Sequence, residues 1–288
     1  MRRIPFAASD TEAVVAFCDA NGGIHDVRLL LSLTSDPSGV FVVADGDGIA
    51  MVATVIDRTR NVAGSANLEM LGLRTRLPAP AYIDLVIEPA RAFVHAGARR
   101  ALHVVLTPSL LPADGADEAL RAAGFSLAYE VFEMRRPASA ASVELAPLPP
   151  GWAWTDLDVA RAAVAHAALA EMFKDAIATQ LIPLADFQKG IASGTVSWRV
   201  LQDADRIAGL VRAVAHRDHG ELRILGRVPA YRGQGLGPRL VAEGLRLLRQ
   251  TGDVELSVEA ANDRALGLYR RFGFEVVART PVFGLKMR

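Results

Sequence analysis

The run Tyr231-Arg232-Gly233-Gln234-Gly235-Leu236-Gly237-Pro238 limits this chain more than any other stretch, because it joins an apolar strand-like segment to an amphipathic helix. Leu222, Ile224, Leu225 and Val228 suit a buried strand that Pro229-Ala230 breaks, and Leu240, Val241, Leu245, Leu247 and Leu248 then recur at helical spacing. Pro238 fits the first helical turn, where its missing N–H costs nothing. Three alternating glycines let the backbone approach a ligand closely. Their N–H groups and the positive end of the helix dipole then make an anion site, a pyrophosphate cradle to which Arg232 adds a bidentate donor. The run is not a P-loop, since Gly237-Pro238-Arg239 lacks the Gly-Lys-Ser/Thr that such a loop requires. Nor is it a dinucleotide fingerprint, because Pro238 stands where the third glycine belongs and too few residues follow to complete a βαβ domain. An oxidoreductase is disfavoured on the same ground.

A second block follows at close range. Val254, Leu256 and Val258 alternate with Glu255, Ser257 and Glu259, giving a strand with one polar face. Asn262 or Asp263 is a good N-cap, Ala265, Leu266, Leu268, Tyr269 and Phe272 sit at helical spacing, and Gly273 closes the helix.

The spacing Arg-x-x-Gly-x-Gly from Arg232 to Gly237 resembles the acetyl-CoA loop of the GNAT acetyltransferases. The block from Asn262 to Phe274 resembles the signature that follows that loop. The resemblance implies direct transfer of acetyl from acetyl-CoA to an amine. It places the backbone of Leu225, Arg227 and Val228 along the pantetheine arm, Arg232, Gly233, Gln234, Gly235, Leu236 and Gly237 on the pyrophosphate, and Asn262 where two strands splay apart. Asn262 also reads as a plain helix cap, and the two roles are compatible. Tyr269 would be the general acid: a phenol with a pKa of about 10 keeps its proton at neutral pH and can deliver it to a departing thiolate. An aromatic on the core face of the helix is the alternative for Tyr269. Glu221 stands where the mycothiol synthase type has a glutamate base, although a strand-end glutamate is equally a solvated one. His216 and His219, in the turn before it, are rivals by their ordinary acidity. With Asp218 they match no trusted metal-ligand spacing, so no metal is expected.

The chain also repeats itself. Val40 to Val52 is a hairpin about Asp45-Gly46-Asp47-Gly48, and the same Asp-x-Asp-x-Ile-Ala core returns 158 residues later within Val200 to Val211. Leu68 to Arg74 parallels Leu222 to Arg227, Asp117 to Leu120 parallels Asp263 to Leu266, and Gly124-Phe125 parallels Gly273-Phe274. Matches in the same order mean duplicated domains. The tandem arrangement resembles mycothiol synthase and related double-domain acetyltransferases. Opposite the cradle, however, the first copy has Arg76-Leu77-Pro78-Ala79-Pro80-Ala81-Tyr82, with no glycine, and nothing in it answers to Tyr269.

Arg136 through Gly151 is linker-like, which divides the chain into a degenerate GNAT-like domain at 1–139 and a cofactor-binding one at 140–288. Each is expected to be of α/β composition and α+β type, a mixed and mostly antiparallel sheet flanked by helices. Trp152 and Trp154 open a strand, and Ala160 to Phe173 and Ala185 to Ile191 are helices. In a GNAT domain such early helices roof the acceptor pocket, which draws attention to Phe173, Lys174, Asp175 and Gln180.

At 30.8 kDa, 51% hydrophobic and 22% charged, the chain reads as folded protein. Its formal net charge of zero offers no global surface to nucleic acid. The single Cys18 permits no internal disulfide and reads as core filler. No apolar run reaches the roughly 20 residues of a membrane span. The expectation is a cytoplasmic monomer or homodimer acting on a small-molecule amine, with a non-catalytic CoA-binding regulatory or scaffold protein as the alternative.

Overall fold

A computed structural model describes residues 1–22, 36–58, 64–176, 181–194 and 196–287. The chain forms two compact units, Met1–Glu130 with Arg279–Arg288, and Val131–Ala278.

The first unit begins with β1 (Arg2–Ile4) and α1 (Thr11–Asn21), then β2 (Val40–Asp45), β3 (Gly48–Arg58) and β4 (Ser65–Leu73). The expected hairpin is present, with Asp45 opposite Gly48 and the Asp45 carboxylate accepting from Asp47 N–H. α2 (Ala79–Tyr82) passes through a π turn at Ile83–Ile87 into α3 (Glu88–Ala96), followed by β5 (Ala101–Val105) and α4 (Ala116–Ala122). Alternation along β4 sends Ala66, Leu68 and Met70 into a core with Val86, Val94 and Leu102, while Leu71 meets Val14, Val15 and Cys18 of α1 on the other face. Burial pushes the Cys18 thiol up to about 12, so it stays an unreactive filler.

β6 (Ser126–Arg136) carries the chain into the second unit, where its residues Val131–Arg136 pair antiparallel with β11. The changeover thus falls inside a strand, upstream of the proline-rich segment. β7 (Trp152–Asp156), α5 (Ala162–Met172), α6 (Leu184–Ala192), β8 (Ser197–Asp203), β9 (Arg206–Ala215), β10 (His219–Arg227), α7 (Leu236–Leu247), β11 (Asp253–Glu259) and α8 (Asp263–Arg271) follow. The strand order is β6-β11-β10-β9-β8-β7, antiparallel except for β10 with β11. β12 (Glu275–Lys286) returns to the first unit, where Val282–Lys286 pair with β5. Each unit is therefore a mixed, mostly antiparallel sheet with helices packed on it.

In the second unit α5 and α6 bury Leu169 and Phe187 against Trp198, Val200 and Leu210. α7 and α8 cover the opposite face with Val241, Leu266 and Phe272 against Leu222 and Leu256. One buried ionic network fixes α7 to the sheet. Glu243, 7% exposed, accepts from Arg199 Nε at 2.9 Å and from Arg246 at 2.7 and 2.8 Å. Glu243→Ala removes the buried partner of Arg199 and leaves it only its ion pair with the exposed Asp156 at 2.7 Å. The expected loss is about 2 kcal/mol, read as a lower urea midpoint at unchanged m-value.

Candidate active site

The site begins where a ladder ends. β10 and β11 pair in parallel only from His219↔Asp253 to Leu222↔Leu256, although both strands continue. A register shift between Leu222 and Ile224 bends β10, which stays paired to β9 through Arg227, while β11 follows β6 as far as Glu259↔Val131. The two strands splay, and the edge of β10 at Leu225, Gly226 and Arg227 has no partner in β11. Phe173, just past α5, closes on this segment. A Cβ on Gly226 would lie 2.9 Å from its ring. Lys174 and Asp175 are exposed, and Gln180 lies outside the described residues.

Val228, expected to present backbone groups to a cofactor, already uses them. Its N–H is donated to Ala208 O, and its carbonyl accepts from Tyr231 N–H. The cradle proper starts after the 3₁₀ turn Pro229–Tyr231. Gly233 at φ +83° and Gly235 at φ +69° hold the left-handed backbone that only glycine adopts cheaply. Gly235 is the N-cap of α7 and supplies no side-chain cap. The backbone N–H groups of Gly233, Gln234, Gly235, Leu236 and Gly237 are donated to no other described residue, so a row of donors converges at a helix N-terminus. Leu236 is buried and anchors the turn. Gly237 serves packing as well, since a Cβ there would meet Leu268 of α8 at 3.0 Å.

Arg232 is exposed at this loop. Burial and the neighbouring guanidiniums of Arg264 and Arg232 hold Arg227 below the usual arginine range. Three cations thus crowd one place, which favours a polyanionic ligand. Arg264 is absent from the motif reading; its only sequence signal is its place two residues after Asn262. Asn262 caps α8, its Oδ1 accepting from Ala265 N–H at 3.1 Å.

Tyr269 lies on α8 against Phe274, ring centroids 6.0 Å apart, beside the core that holds Leu222 and Leu256. Burial pushes its phenol up to about 12. Its hydroxyl makes no hydrogen bond to another described residue. A protonated, uncommitted O–H is the state a proton donor needs.

Glu221 stands on the last paired stretch of β10, and strand alternation turns it to the face opposite Leu222 and Tyr269. Its Oε2 accepts from Arg223 Nε at 2.8 Å and meets His216 Nε2 at 3.0 Å. Burial alone would raise this carboxyl, but the Arg223 guanidinium and the hydrogen bonds from Arg223 and His216 outweigh it and hold Glu221 below the usual range. Tyr269 therefore packs on the Leu222 face of the sheet, and the Glu221 cluster lies on the other. No group of three or more potential metal ligands occurs among the described residues.

Residues 163–274 match the sequence profile of the acetyltransferase (GNAT) family. The mycothiol acetyltransferase of Clavibacter michiganensis subsp. michiganensis is 30% identical over 282 residues, covering 88% of this chain and 82% of that protein. The chain belongs to the GNAT acetyltransferase family. The mycothiol acetyltransferase of Corynebacterium efficiens is 41% identical over 86 residues, a match that spans 29% of its length. Among solved structures, a tandem GNAT protein from the clavulanic acid biosynthesis pathway superposes with a TM-score of 0.68 at 16% identity, covering 99% of this chain and 98% of that one. A GCN5-related N-acetyltransferase from Sphaerobacter thermophilus gives 0.67 at 17% identity, covering 99% and 95%. The fold is the tandem GNAT fold.

The Glu221 cluster sets a pH dependence. The carboxyl is more acidic folded than its ordinary value of 4.5, so the folded state binds fewer protons. Its stabilisation is present above about that pH and is lost as pH falls through the lower folded value. Denaturant melts should show wild type losing more stability between pH 5 and pH 3 than Glu221→Gln loses.

Proposed function

We propose that this acyltransferase moves acetyl from acetyl-CoA directly to the amine of a small molecule, in its C-terminal domain, with the N-terminal domain empty of cofactor. The carrying observation is the coincidence at one strand end of an unpaired β10 edge, a row of unspent N–H groups and the Tyr269 phenol. Acetyl-CoA supplies the activated acetyl group. Gly233 to Gly237 and Arg232 bind the pyrophosphate, and Arg227 and Arg264 add positive charge around it. The backbone of Leu225 and Arg227 lines the splay. Tyr269 delivers its proton to the departing sulfur.

The first unit supports the one-site reading. Its β4 and β5 pair over the same four rungs, Ser65↔Ala101 to Leu68↔Val104, and then part. Where the second unit opens a cradle, the first turns its chain inward. Leu77 is buried, its N–H is donated to Pro112 O at 2.8 Å, and it bridges Ala113, while Arg76 pairs with Asp114 at 2.7 Å. The Leu77 N–H is spent internally, and Pro78 and Pro80 have none.

Relatives named mycothiol acetyltransferase put acceptors of the mycothiol type first in an amine screen. CoA release from acetyl-CoA, followed against such a panel, tests the reading. Tyr269→Phe should lower turnover by about 10²–10⁴-fold and leave acetyl-CoA affinity nearly unchanged. Binding without turnover on any amine would instead favour a CoA-binding regulatory or scaffold protein.

A further inference from the structure

Two guanidiniums remain once the cradle has taken a pyrophosphate. The N–H groups of Gly233 to Gly237 are donated to no other described residue, and with the Arg232 fork they match the free oxygens of that group. Arg227 and Arg264 stand apart from the row. Arg227 ends β10, past the last rung shared with β11, and alternation puts its side chain on the face of Leu225, whose core includes Ala265 and Leu268 of α8. Gly226 between them faces the other way, toward Phe173. Arg264 lies in the first turn of α8, beside Ala265. The first turn of α7 closes the same corner, since a Cβ on Gly237 would meet Leu268 at 3.0 Å.

No carboxylate neutralises this pair. The side chains of Arg227, Arg232 and Arg264 make no hydrogen bond or ion pair with another described residue, and Asp263, exposed beside Arg264, pairs with neither. The charges that act on Arg227 are those of Arg264 and Arg232, and both repel it. An anion seated between the guanidiniums turns that repulsion into attraction. The first unit has no such pair: the repeat that aligns Gly72 with Gly226 and Asp117 with Asp263 puts Leu73 and Glu118 in the two positions.

Each guanidinium fork takes two oxygens of one phosphate. Two forks exceed what a diester phosphate offers, and they suit a terminal phosphomonoester, with three free oxygens and a charge of about −2 at neutral pH. CoA carries one such group, the 3′-phosphate of its ribose, on the same nucleotide as the pyrophosphate. We propose that Arg227 and Arg264 clamp this 3′-phosphate and make the protein select acetyl-CoA over its 3′-dephospho form; the proposal rests on the acetyl-CoA reading of the cradle. The clamp is the same in the bound substrate and the transition state, so it acts on cofactor affinity and not on turnover at saturation.

Calorimetric titration of the full chain with acetyl-CoA and with acetyl-3′-dephospho-CoA tests the clamp. Wild type should bind the dephospho form about 10–100-fold more weakly. Arg227→Gln and Arg264→Gln should each weaken acetyl-CoA about tenfold and leave affinity for the dephospho form within about twofold of wild type. The melting temperature of either free variant should equal or exceed that of wild type, because each removes a repelled charge. Equal affinity of wild type for the two ligands, or variants that weaken both ligands alike, overturns the clamp alone. Wild type that binds neither ligand sinks the acetyl-CoA reading itself.

Discussion

The second unit depends on a parallel ladder that stops. Four rungs join β10 to β11, and past Leu222 and Leu256 each strand follows its other neighbour, β9 on one side and β6 on the other. Sheet strands rarely leave such edges bare, because an unpaired backbone group away from water is costly. The split exposes the edge of β10 along a gap that a narrow, polar chain can fill. The loop at its end presents a row of uncommitted N–H groups at a helix N-terminus. Tyr269 packs on one face of this sheet and Glu221 on the other.

Duplication sets two different loops on the same frame. The first unit keeps the hairpin, the ladder of four rungs and the splay. In the loop after β4 a buried Leu77 and its bond to Pro112 stand where the second unit has two left-handed glycines, and the first unit also has no counterpart of Tyr269. Each copy of the fold stands on its own core, Leu68 with Leu102 here and Leu222 with Leu256 there, whatever its loop carries.

Elements were legible in the sequence where a local rule writes them. Alternation marks β11, helical spacing marks α7 and α8, and the glycines that proved left-handed were visible as a Gly-x-Gly turn. What stayed hidden depends on partners far apart in the chain. Glu243 meets Arg199 across 44 residues, and Arg136 Nε reaches Phe272 O across 136, fixing the end of the helix that bears Tyr269. No periodicity announces such pairs. Arg264 reads as one more helix-surface arginine until folding sets it beside Arg227. Val228 suited the strand by residue type, and folding gives its N–H to Ala208 and one bond on its carbonyl to Tyr231. The chain's changeover inside β6 carries no composition signal, since pairing with β11 and not a polar linker decides it.

The central claim, one working cradle per chain, is tested most directly by calorimetric titration of acetyl-CoA into wild type and into Gly235→Glu. That variant places a side chain, and a negative one, at a left-handed position in the N–H row. One site per chain in wild type, lost in the variant, is the predicted result. Two sites, no binding, or binding that survives Gly235→Glu would contradict it.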